Sequence, residues 1–221
     1  MDIENKEPFH NVSFEDKKPF KVPFKMVISG FDSSRKPHVV INLISLMNMT
    51  FNKVYFYTRN KDEPLYEYLE MVKPDKDLLE VHEGIDHLKS IDLDNHYFGQ
   101  TLIVFDGLEN ERDQNKIVEL YCRGRILGCS LVYLASKFSS VSPTIRENAN
   151  YLIFKKIASE RELYRILRDV YLEVNKEEFL KMHQFCTEGG NPGFLMIDLC
   201  AKKEHKFRHN FMQVLNINFF K

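Results

Sequence analysis

The stretch Phe24–Val40, FKMVISGFDSSRKPHVV, limits the fold more than any other part of the chain. An apolar run from Phe24 to Ile28 breaks at Ser29-Gly30. A polar loop then closes on Arg35-Lys36-Pro37, and an apolar-periodic segment opens at Val39. This is a strand, a loop and a helix in the outline of the phosphate-loop pattern G-x-x-x-x-G-K-[ST]. With Gly30 and Lys36 set on that pattern, Arg35 stands where the second glycine belongs, and Pro37 where the Mg²⁺-binding hydroxyl belongs. The glycine allows a close backbone approach that a Cβ resists. The hydroxyl ligates metal, and its backbone N–H faces phosphate. Pro37 supplies neither, yet proline suits the first turn of a helix. Arg35 and Lys36 still place two cations at a helix N-terminus, which favours an anion. The residues available to hold phosphate are Gly30, Ser33, Ser34, Arg35, Lys36, Pro37 and His38. The same residues also read as a basic turn capping an ordinary helix.

Before this stretch, residues 1–23 are polar and charged, interrupted by Pro8, Pro19 and Pro23, and read as an N-terminal arm rather than a core element. After it, strands and helices alternate. Strands are expected at Phe24–Ser29, Lys53–Thr58, Leu78–His82 (an edge), Thr101–Asp106, Cys129–Ala135 and Tyr151–Lys155, with a last one at Phe194–Leu199. Helices are expected at about 38–49, 65–71, 110–123, 158–174 and 176–186. The alternation implies βαβ units: an α/β fold with a mostly parallel sheet covered by helices on both faces. Residues 24–221 read as one domain, without repeats or an interdomain linker.

Composition narrows the function classes. The chain has 221 residues, 43% hydrophobic and 29% charged, with a formal net charge of −1, so no global basic field points to nucleic acid. Residues 151–221 carry a net of +3 and residues 1–150 a net of −4, which permits a local basic patch without demonstrating one. No apolar run nears the roughly 18 residues a bilayer span needs, and the N-terminus lacks a signal profile. The expectation is an intracellular protein without membrane insertion. Cys122, Cys129, Cys186 and Cys200 form no C-x-x-C pair. His183, Cys186, Cys200, His205 and His209 do not follow finger or ribbon spacing, so no zinc is expected.

A phosphate loop needs an acid at the end of a neighbouring strand to hold Mg²⁺ through water. Leu102-Ile103-Val104-Phe105-Asp106 fits, although Asp106-Gly107 also reads as a common turn pair. Gly107 stands where a water-activating carboxylate is expected. Glu109 and Glu111 follow, but a shift of two or more residues moves a carboxylate several ångströms, so neither is expected to substitute. Arg123 and Arg125 flank Gly124 after a helix, and Arg146 sits in the turn PTIREN. Arginines at a subunit edge can supply charge to a neighbour's γ-phosphate, and can equally pair with surface carboxylates.

Taken together, GFDSSRK, KVYFYTRN, TLIVFDGLEN, IVELYCRGRILGCSLVYLAS and PTIRENANYLIF resemble the poxvirus-type genome-packaging ATPases of the FtsK–HerA superfamily, found in large DNA viruses, virophages and related elements. The likeness runs from about Phe24 to Leu199. It implies a P-loop NTPase-like fold, with ATP and Mg²⁺ as ligands and a homo-oligomer or partner subunits acting on double-stranded DNA. By resemblance, Lys36 matches the phosphate-loop lysine, Asp106 the Mg²⁺-associated acid, and Arg125 and Arg146 the catalytic arginines. Action in host cytoplasm, nucleus or virion would follow from a viral source. The departures at Arg35, Pro37, Gly107 and Ser136 all fall on chemistry. The sequence therefore favours a degenerate relative with weak or no ATP hydrolysis and a packaging, scaffold or regulatory role. An active DNA-translocating motor with an atypical phosphate loop, and an unrelated α/β interaction module, are the alternatives.

Overall fold

A computed structural model describes residues 7–11, 19–31, 35–47, 50–72, 78–188 and 193–221. Among these, ten strands join in one sheet: β1 (Phe9–Asn11), β2 (Lys25–Ser29), β3 (Lys53–Thr58), β4 (Leu79–Glu83), β5 (Thr101–Asp106), β6 (Cys129–Ala135), β7 (Tyr151–Phe154), β8 (Leu195–Asp198), β9 (Phe207–His209) and β10 (Gln213–Leu215). The helices are α1 (Lys36–Leu46), α2 (Pro64–Val72), α3 (Asp86–Ser90), α4 (Asn115–Arg123), α5 (Pro143–Glu147), α6 (Glu160–Asp169) and α7 (Lys176–Glu188). The strand order is β1-β10-β9-β8-β7-β2-β6-β5-β3-β4. From β7 to β4 every pairing is parallel; from β7 back to β1 every pairing is antiparallel.

Alternate side chains of the central strands go to opposite faces, as the period of two requires. Met26, Ile28, Leu102, Val104, Val132, Leu134 and Ile153 pack against Val39, Val40 and Leu43 of α1. Val27, Ile103, Phe105, Leu131, Tyr133 and Leu152 pack beneath Ile117, Leu120, Ile145, Ile166 and Phe179 on the other face. Both faces are dry, which is why these strands read as continuous apolar runs. Tyr121 of α4, fully buried, donates its hydroxyl to the Met26 carbonyl at 2.8 Å and so ties α4 to the strand that carries the loop.

Several expectations need correction. Phe194–Leu199 does not hold the last strand, because β9 and β10 follow and continue the sheet antiparallel. Each is only three residues long, too short for a period-two pattern to show. Residues 110–114 are not helical: Gln114 turns its amide onto the Leu108 carbonyl at 3.0 Å, and α4 starts afterwards. PTIRE, read as a turn, is the short helix α5. α6 ends at Asp169, and α7 has its own start, where Asn175 and Glu178 exchange side-chain to backbone bonds at 2.9 and 2.8 Å as a reciprocal cap. Of the segment read as an arm, Phe9–Asn11 pairs with β10, and Phe20 is buried against Phe24, Tyr151 and Phe211.

Removing the hydroxyl of Tyr121 leaves the Met26 carbonyl without that donor inside a dry core. Tyr121→Phe should therefore cost about 1–2 kcal/mol of stability, read as a lower urea midpoint at unchanged slope.

Candidate functional site

The chain leaves β2 for α1 and β3 on one side, while β6 crosses to β7 on the other. The C-terminal ends of β2 and β6 therefore form a topological switch point, the place where open α/β sheets bind ligands. The backbone there is knitted across strands. Gly30 N donates to the Ala135 carbonyl and Gly107 N to the Leu134 carbonyl, both at 3.3 Å. Because β6 lies between β2 and β5, the loop after β2 and the carboxylate ending β5 stand one strand apart at the same edge.

Lys36 opens α1 and is only 6% exposed. Its ammonium donates to the Gly30 carbonyl at 3.0 Å and to the Phe31 carbonyl at 3.3 Å, folding the loop back over the helix start. Arg35 caps the helix in the left-handed region, φ 54°, at the position where the motif has glycine. The turn has thus kept the backbone conformation that suits glycine and filled it with a residue that pays for its Cβ. Pro37 stands in the first turn, half-buried, and His38 is exposed with its N–H on the Arg35 carbonyl at 3.2 Å. Ser33 and Ser34 lie outside the described residues.

Asp106 is half-buried on the same sheet face as α1. Burial pushes its carboxyl up to about 6, while a hydrogen bond from Tyr66 and the charge of Lys36 oppose that rise and Glu63 and Glu109 add to it. Lys36 and Asp106 thus lie near enough for the charge of one to act on the other. Tyr66, fully buried on α2, donates its hydroxyl to Asp106 Oδ2, and its own ionisation is pushed well above the phenol range by burial and by that carboxylate. Nothing in the sequence marked Tyr66, since an aromatic at helical spacing reads as core.

Gly107 has φ 67°, so a glutamate there would be strained even though the nearest atom to a Cβ, Arg59 Cβ, is 3.7 Å away. Glu109, set aside on spacing, comes back into the site. The loop after Gly107 turns, and the Glu109 Oε1 accepts the Ser136 N–H at 3.0 Å at the end of β6, while its buried Oε2 has no hydrogen-bond partner among the described residues.

The two arginines go elsewhere. Arg125 is exposed in the connection leading into β6, beside Lys25 at the start of β2, at the opposite edge of the sheet from the loop. Arg146 forms an ion pair with Asp169 at the end of α6 and lies over the Phe138 ring, 5.1 Å from its centroid. Among the described residues, neither contacts the loop or Asp106.

Pro37 has no hydroxyl, one Asp106 oxygen is taken by Tyr66, and among the described residues no group of three or more His, Cys, Asp or Glu is gathered to hold a metal. No helix among them is long and apolar enough to cross a membrane.

Two outcomes test this geometry. Arg35→Gly relieves a left-handed side chain and should raise stability by about 1 kcal/mol, a rise in Tm of about 2–4 °C. Asp106 binds its proton more tightly folded than unfolded, so its contribution is fully present below its ordinary value and is lost as pH rises through about 6. Asp106→Asn should therefore stabilise the chain by about 1–3 kcal/mol near pH 8, with the gain fading as pH falls toward 4 in thermal unfolding.

The architecture has solved counterparts. The genome packaging NTPase B204 from Sulfolobus turreted icosahedral virus 2, in complex with sulfate, superposes with a TM-score of 0.60 at 15% identity, covering 83% of this chain and 94% of that one. Its complex with ATP-gammaS gives 0.59 at 14%, covering 82% and 94%. EssC (ATPases 2 and 3) from Geobacillus thermodenitrificans gives 0.54 at 10%, covering 89% of this chain and 40% of that one. At such identities the likeness concerns fold alone: a mostly parallel α/β sheet of P-loop type. No curated protein sequence matches. The family model described as Poxvirus A32 protein matches residues 11–197, most of the chain, and with that match the chain belongs to the poxvirus A32 protein family.

Proposed function

We propose that this chain is a genome-packaging-ATPase-type subunit of a DNA virus or mobile element that binds nucleotide at the Gly30–His38 loop and hydrolyses it weakly or not at all. The observation that carries the reading is the Tyr66 hydroxyl on Asp106, which occupies the carboxylate that would organise metal-bound water. Pro37 and the left-handed Gly107 point the same way. Phosphoryl transfer depends almost wholly on positioning and charge, and losing one electrostatic donor can cost about 2.7–4 kcal/mol of barrier.

Family membership supports assembly into a homo-oligomer or with partner subunits on double-stranded DNA. In such an assembly Arg125, exposed at the far edge, is available only to a neighbour's site. A place of action inside the infected cell or in the virion follows from the same reading. An active motor is the second reading, and it draws on one observation: the Glu109 carboxylate bonded at the end of β6, with a buried oxygen unpartnered among the described residues.

Calorimetric titration together with a phosphate-release assay tests this. The expected result is nucleotide binding with turnover below about one hundredth of the ~10 s⁻¹ usual for enzymes. Robust turnover that Glu109→Gln abolishes at unchanged affinity would establish the motor instead. Absence of nucleotide binding would refute both readings.

A further inference from the structure

The charges around the loop divide by side. Toward β5 lie Asp106, Glu109 and Glu63, close enough that the latter two raise the proton affinity of Asp106. Toward β7 lie cations. Phe154 pairs with Ser29 in the parallel ladder, and the next residue, Lys155, donates its N–H to the Ser29 carbonyl at 2.8 Å, so Lys155 stands directly beside Gly30. Ile153 faces α1 and Phe154 the opposite core, which turns Lys155 to the α1 side, its ammonium 6.0 Å from the centre of the Phe194 ring.

Half-buried Lys155 has its ammonium form disfavoured by burial and by the guanidinium of Arg35. Lys36, buried at the start of α1, uses two of its three donors on carbonyls. Among the described residues, none of Arg35, Lys36 and Lys155 has a carboxylate at ion-pair distance. Like charges that meet here without a carboxylate at ion-pair distance form an arrangement that a bound polyanion would relieve.

We propose that Arg35 and Lys155 together do the charge neutralisation that a divalent cation performs in a Mg²⁺-dependent site, so that this chain grips the polyphosphate of a nucleotide without metal. The proposal rests on the nucleotide-binding reading and adds how the phosphates are held. It also sets a direction. Without Mg²⁺ to screen them, the β5-side carboxylates repel a terminal phosphate, so the phosphate chain lies toward β7, and a diphosphate binds at least as well as a triphosphate.

The test is titration of the full chain with ADP, ATP and inorganic tripolyphosphate, each in EDTA and in excess Mg²⁺. The expected result is affinity in EDTA equal to or tighter than in Mg²⁺, with ADP no weaker than ATP. Lys155→Ala and Arg35→Gly should each weaken binding in EDTA by about tenfold or more, while Lys155→Arg retains it. Thermal unfolding of each variant checks that the fold is kept. Nucleotide binding that appears only with Mg²⁺, or EDTA affinities indifferent to both substitutions, would overturn the metal-free grip and leave the nucleotide reading standing. Tripolyphosphate bound in EDTA with no ADP or ATP binding would support the grip and refute the nucleotide reading. No binding of any of the three overturns both.

Discussion

The parallel pairing of β6 between β2 and β5 is the constraint on which the site depends. It spans Lys25–Ser29 on one side and Thr101–Asp106 on the other, without a break in register. Because both ladders end together, the loop after Ser29 and the carboxylate of Asp106 emerge at one edge of the sheet. The apolar side chains on both faces make that register costly to change, since a slip of one residue would turn Met26, Ile28, Leu102 and Val104 away from α1. The framework is thus held by burial and by the hydrogen bonds of the ladders, away from the side chains at the edge. The residues at the edge can therefore change while the scaffold remains whole.

What stands at the edge shows the separation in detail. The left-handed turn at Arg35 retains a backbone shape whose usual occupant is absent. Gly107 has the reverse relation, a glycine in a left-handed conformation where the sequence pattern leads one to expect an acid. Tyr66 closes over Asp106, and Glu109 reaches the end of β6 from two residues beyond Gly107. The polarity across the loop, acids toward β5 and cations toward β7, belongs to this arrangement and to no single residue.

Much of this was legible beforehand, for reasons that differ by element. The bounds of β3, β5 and β6 are readable to the residue because each is an apolar run broken by a charged or glycine-bearing turn. The emergence of the loop after Ser29 and of Asp106 at one edge of the sheet is readable because loop and acid carry a recognisable order along the chain. Tyr66, Glu109 and Lys155 are not readable this way. Tyr66 arrives from a helix whose packing angle no local pattern specifies. Glu109 is returned to the site by a turn after Gly107, which linear spacing treats as distance. Lys155 depends on which strand neighbours β2, a fact of topology alone. The short strands β9 and β10 escape for a simpler reason, having three residues each, too few for an alternation to show.

The hydroxyl of Tyr66 has one more implication. It belongs to α2, which lies between β3 and β4 in the chain, whereas the carboxylate it meets belongs to the sheet. Helix position and carboxylate charge are therefore a single variable: drawing α2 outward strips Asp106 of its donor, and charging Asp106 tightens the helix against the sheet. A docking event on the outer surface of α2 would be felt at the loop as a change in electrostatic potential, with no rearrangement of the strands.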